Sequence, residues 1–243
     1  MAGRVCALTT LVLVLAASTA GAQDITLSLG DGGSLSERSI QLIVLITVLS
    51  IVPGLAITIT CFPFVVTVLS ILRQALGLQQ SPPNMLIVSL AMFLTYFVME
   101  PVFADAWARG MQPLIDGRLD LTGALREGVE PFRRFMQARV NPETLARLAE
   151  LRVAVPSDTT AGPALSILMP AFLLSEIERA FEIGFLIFLP FLVIDLVVAA
   201  VLMSMGMMMV PPAVVALPFK LAFFVVTNGW TLISAALVRG YFS

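Results

Sequence analysis

Phe181-Glu182-Ile183-Gly184-Phe185-Leu186-Ile187-Phe188-Leu189-Pro190-Phe191-Leu192-Val193-Ile194-Asp195 opens an apolar run that reaches Met203. After Ser204 come Met205-Gly206-Met207-Met208-Met209, then Pro211-Pro212, then a second apolar run from Val214 to Val238 that contains Pro218 and Lys220. Two apolar runs of this length, joined by a short turn, read as an antiparallel helical hairpin in a membrane. Pro-Pro sits just before the second run, where a missing N–H costs nothing.

Three features of this hairpin bear on mechanism. Five of the chain's 12 methionines fall in the seven residues from Met203 to Met209. Methionine is unbranched and polarisable, so copies gathered around an axis make a deformable apolar ring. The plainer alternative is that these side chains fill a core or face lipid. Asp195 and Lys220 are ionisable residues inside apolar helices, which makes them functional candidates with a partner to be named. They are equidistant from the midpoint between Met207 and Met208, so an antiparallel hairpin puts them at one depth. The expectation is that they pair, with Glu182 or Glu178 as alternative partners for Lys220. Glu176, Glu178, Arg179 and Glu182 form a charged patch at the entry to the first run. Glu178 and Glu182 share a face, but no other residue supports catalysis there.

Working toward the N-terminus, the chain turns polar. Of 14 basic and 16 acidic residues, 16 lie between Asp105 and Asp158, eight of each sign. Leu125, Val129, Phe132 and Met136 follow a helical period within this segment. Asn141-Pro142-Glu143 is a cap, a first-turn proline and a first-turn acid, opening a helix with Leu145, Leu148 and Leu151 on one side. Before the polar segment lies another apolar pair. Ile40 to Leu72 is broken at Pro53-Gly54 and Pro63, and Met85 to Val102 has Glu100-Pro101 near its end. The turn between them ends in Pro82-Pro83, as the later turn ends in Pro211-Pro212.

Residues 1–22 read as a secretory signal peptide. Arg4 is followed by an apolar run to Ala17, and Ala20-Gly21-Ala22 is a small-x-small site with cleavage expected after Ala22. The run is shorter than the ~20 residues a membrane helix needs; an uncleaved first helix is the alternative. The expected organisation is therefore signal peptide 1–22, N-terminal tail 23–39, first kinked helical hairpin 40–103, extracytoplasmic polar helical segment 104–175 and second kinked hairpin with the methionine-rich turn 176–243, the kinks coming from proline or glycine breaks in the first, third and fourth apolar stretches. The signal peptide sets the expected orientation, with the Arg73 and methionine turns inside. A segment as long as the polar one translocates largely regardless of its charge.

Composition agrees with this all-α membrane class. Hydrophobic residues make up 58% and charged ones 12%, and mean hydropathy is +0.98. Those values lie far from a soluble domain, and the formal charge of −2 gives no basic surface for nucleic acid. Histidine is absent, and the cysteines are Cys6 and Cys61. Neither a catalytic centre nor a metal or cofactor site is expected. With so little polar surface, the chain needs further copies or partners to cover its helices.

Arg73-Gln74-Ala75-Leu76-Gly77, Gln79-Gln80 and Pro82-Pro83-Asn84 resemble the first hairpin of the flagellar biosynthetic FliP family. The block Phe181 to Asp195 resembles that family's third helix. Met203 to Met209 with Leu217-Pro218-Phe219-Lys220 resembles its methionine-rich turn and last helix. The resemblance runs from about Ile40 to Trp230. It implies a core subunit of the flagellar type III export gate, present in five copies with FliQ and FliR and working with FlhB and FlhA. It further implies that Met205, Met207, Met208 and Met209 form a pore gasket that yields to unfolded flagellar substrates. One departure is Phe62-Pro63-Phe64-Val65, where relatives commonly have Phe-Thr-Arg-Ile; another is Leu78 in place of a usual threonine. The runner-up readings are the related subunit of a virulence injectisome and a small stand-alone transporter or channel.

Overall fold

The computed structural model describes residues 57–78, 81–151, 162–207 and 209–242, with positions 43, 46, 47, 50 and 54. The expected signal peptide with Ala20 and Ala22, the 23–39 tail and Met208 lie outside the described residues. The helices described below belong to one compact unit, Ile51–Ser243.

All regular structure among the described residues is helical. Helix α1 (Phe62–Ala75) and α2 (Asn84–Ala106) form the first hairpin. A π-helical turn, Trp107–Met111, joins α2 to the short α3 (Gln112–Ile115). Then come α4 (Leu121–Arg139) and α5 (Pro142–Glu150), and the long α6 (Leu165–Ser204). The chain closes with α7 (Pro212–Val226) and α8 (Gly229–Phe242).

Pro63 lies in the first turn of α1, so it starts a helix instead of kinking one. Phe64, Val65, Val68, Leu69, Leu72, Ala75 and Leu76 are all buried and form a stripe along α1. That stripe is covered by α2 on one side and α6 on another. Gly184 permits the close approach of α6, because a Cβ there would stand 2.4 Å from Ile71 Cδ1. Between apolar helices in a membrane, close packing of this kind supplies the attraction that water supplies elsewhere.

The polar segment packs through small residues. A Cβ on Gly110 of the π-helical turn would lie 2.8 Å from the Ala124 carbonyl oxygen and from Gly128 Cα, so this turn and α4 touch backbone to backbone. The Asp120 carboxylate caps α4 by accepting from Gly123 N–H at 3.0 Å. A bond from the Thr122 hydroxyl, together with that cap, holds the carboxyl below its ordinary value. Asn141 caps α5, its Oδ1 accepting from Glu143 N–H at 2.9 Å. Along α4, Met136 is buried against Leu168 and Phe172. Leu125 and Val129, on the same face, instead line an open apolar groove of about 580 Å³ beside Trp107 and Met111.

Among the described residues, two helices are long and apolar enough to cross a membrane: Asn84–Ile115, counted through the π turn, and Leu165–Ser204. The pair α7 and α8 passes the same test jointly but is bent by 61°. The proline kinks expected in the second hairpin do not set this bend. Pro101, Pro170, Pro190 and Pro218 all sit within continuous helices. The bend falls at Thr227-Asn228 instead. There the Thr227 hydroxyl donates back to the Phe223 carbonyl at 3.0 Å, and Asn228 adopts a φ of 49°.

Candidate functional site

The methionine turn is built by a glycine cap. Gly206 has a φ of 75°, a conformation glycine adopts without strain. It ends α6 in a Schellman arrangement: Gly206 N–H donates to the Met203 carbonyl at 3.0 Å, and Met207 N–H donates to the Leu202 carbonyl at 3.0 Å. Pro211 and Pro212 then open α7. Met203, Met205, Met207 and Met209 are all exposed, Met209 at 97%. They fill no core of this chain. What they offer is uncharged, flexible thioether surface at the tip of a hairpin.

Beneath the tip, Lys220 Nζ donates to Asp195 Oδ2 at 2.6 Å and to the Ala75 carbonyl at 3.0 Å. The Lys220 side chain is buried, and Asp195 is partly exposed. Glu178 and Glu182 lie further back along α6 and are not buried. The lysine therefore joins three helices: α7 that carries it, α6 that carries its counter-ion, and the C-terminal end of α1, where a cation suits the helix dipole. Phe191 packs edge-on against Phe223 at 5.9 Å between ring centroids, in the same hairpin register.

A second buried cluster holds the opposite end of α1. Glu176 is fully buried, and its carboxylate faces Arg139 Nε at 3.4 Å and Arg179 Nη1 at 3.7 Å. The Tyr241 hydroxyl donates to the other Glu176 oxygen. Arg139 lies over the Tyr241 ring at 3.8 Å and donates to the Gly240 carbonyl at 3.3 Å. Phe64 packs edge-on against the same ring. This network binds α4, α6 and α8 around the start of α1. The charged patch read from the sequence is thus divided: Glu176 is interior, whereas Glu178 and Glu182 reach the surface.

The second hairpin thus carries an exposed methionine tip, is register-bonded at its root and is braced by the first hairpin. The model of the FliP family matches residues 45–237. The chain belongs to the FliP family. It is 46% identical to the flagellar biosynthetic protein FliP of Caulobacter vibrioides over 228 residues, which cover 94% of this chain and 86% of the relative. The Bacillus subtilis FliP is 41% identical, with 84% of this chain and 93% of the relative covered. The Aquifex aeolicus FliP is 39% identical, with 95% and 97% covered.

Within this FliP-family fold, the structure brings Asp195 and Lys220 together and sets Met205, Met207 and Met209 on one turn. Sequence reasoning missed Ala75, Arg139 and Tyr241. Ala75 contributes only a backbone oxygen, which has no residue signature. Arg139 and Tyr241 are 37 and 65 residues from Glu176, so no local spacing links them to it.

Proposed function

We propose that this chain is the pore-forming core subunit of the flagellar type III protein export gate, conducting unfolded flagellar subunits across the inner membrane. Family membership makes it a membrane component of flagellar export and not an enzyme, and it favours this reading over an injectisome subunit or a stand-alone channel. The observation that carries the finer reading is the exposed methionine tip on a hairpin fixed at its root. Such a tip has the chemistry of a seal: it repels ions, makes no directional bonds and deforms around a passing chain.

Several copies arranged about an axis bring these tips together, and the number five comes from the resemblance alone. Exposed Phe93, Phe97, Phe181 and Phe185 give the hairpins broad apolar faces to cover. Neighbouring copies and the partners FliQ and FliR cover them in this reading, with FlhB and FlhA completing the gate. Ala75, at the end of α1, and Lys220 of the second hairpin meet, which supports both turns facing the same side of the membrane; the signal-peptide reading makes that side the cytoplasm and leaves the polar segment outside.

Deleting Met207 to Met209 tests the seal. The expected result is an assembled gate through which resting cells leak ions. Unchanged membrane conductance and normal motility in the deletion strain would sink the gasket reading.

A further inference from the structure

A helix leaves its last four carbonyls without intrahelical partners. In α1 the cap itself meets two of these: Gly77 N–H donates to Gln74 at 2.9 Å and Leu78 N–H to Arg73 at 3.3 Å. The carbonyl of buried Ala75 receives the Lys220 ammonium from the other hairpin. The contact is reinforced beside it, where a Cβ on Gly77 would lie 3.7 Å from Leu217 Cδ1. A lysine needed only for hairpin register could satisfy Asp195 and stop there. This one is buried between two oxygens on two different helices.

We propose that Lys220 is a positioning residue for the seal: by donating to the Ala75 carbonyl as well as to Asp195, it pins the methionine hairpin to the end of α1 and limits how far the methionine turn can move at rest. The pin rests on the gasket reading above. It predicts that the ion pair and the seal are separable. Exchanging the two charges keeps opposite charges on α6 and α7, yet the short carboxylate then at position 220 has no proton to donate to the Ala75 carbonyl. Replacing both residues with apolar ones removes the charges in a way membrane packing tolerates, but it leaves Ala75 uncapped.

The experiment uses the full chain in assembled gates in cell membranes, with assembled complex measured by native electrophoresis and resting ion leak measured separately. The Asp195→Lys/Lys220→Asp and Asp195→Leu/Lys220→Met pairs are expected to assemble and to leak about tenfold more than the parent, the scale of one lost hydrogen bond from a charged donor. Lys220→Arg, whose guanidinium can span both oxygens, is expected to recover the seal. Assembled exchange or apolar-pair gates as tight as the parent overturn the pin. Failure of both pairs to assemble overturns it too, because Lys220 would then act in folding. The Met207–Met209 deletion separates the two ideas. A tight deletion gate defeats the gasket itself, whereas a leaky deletion beside a tight exchange pair defeats only the pin.

Discussion

Glu176 shows how much a single side chain can hold. Its carboxylate is fully buried and answers two guanidiniums and a phenol from three helices. Truncating one member of a buried ion pair costs about 3–5 kcal/mol, because the remaining charge is stranded. Glu176→Ala is therefore expected to lower the melting temperature of the detergent-solubilised protein steeply. Tyr241→Phe removes one hydrogen bond to a charged group, for which about 1.5–3 kcal/mol is expected. A Glu176→Ala protein that melts like the parent would show that the network contributes no stability. At this scale, sequence was informative where geometry is local. Equal spacing from a turn carries the depth of Asp195 and Lys220, because antiparallel helices rise at the same rate per residue. In sequence Glu176 is one of a charged group because its neighbours share its charge, whereas its burial depends on residues the chain brings back much later.

Among elements, α1 and α6 make the most extensive contact, and at Gly184 within it there is no room for a Cβ beside Ile71. Gly184→Leu forces Ile71 or the helix backbone to move. Overpacking of this kind costs about 1–3 kcal/mol, so circular dichroism melts should show an earlier transition with helix content preserved at low temperature. An unchanged melt would mean that α6 slides freely on α1. The helices themselves were largely legible, since apolar runs, Pro-Pro starts and the Asn141 cap all mark them. Their ends were less so. The run Val214–Val238 reads as one helix, and the structure bends it at Asn228. Asn228-Gly229 is a turn signal set between apolar stretches that mask it in a hydropathy reading. Conversely, Pro190 and Pro218 look like breaks, and the helices run through them. Continuous apolar neighbours hold the backbone on either side of the one lost bond.

For the whole molecule, the telling quantity is how much apolar surface remains uncovered. Phe181 and Phe185 are 60% and 62% exposed on α6. Truncating exposed side chains away from special features changes protomer stability by about 0.5 kcal/mol at most. The Phe181→Ala/Phe185→Ala variant is thus expected to keep the protomer's melting behaviour while losing assembled complex on native gels. Intact assembly in that variant would place the inter-copy contacts elsewhere. The class of the molecule was written in its composition, but which faces meet a neighbour was not, because lipid and a partner helix ask for the same residues.

The Asp195–Lys220 root gives the methionine tip a definite mechanical character. Between Asp195 and the end of α6 at Ser204 run nine residues, about 14 Å of helix at 1.5 Å per residue. The tip is thus a short cantilever anchored at one end. The compliance of a cantilever rises steeply with its free length, so the position of the anchor sets how readily the tip bends under the thrust of a passing chain. An anchor one helical turn nearer the tip would stiffen it, and one a turn further away would soften it, with no change to the methionines themselves.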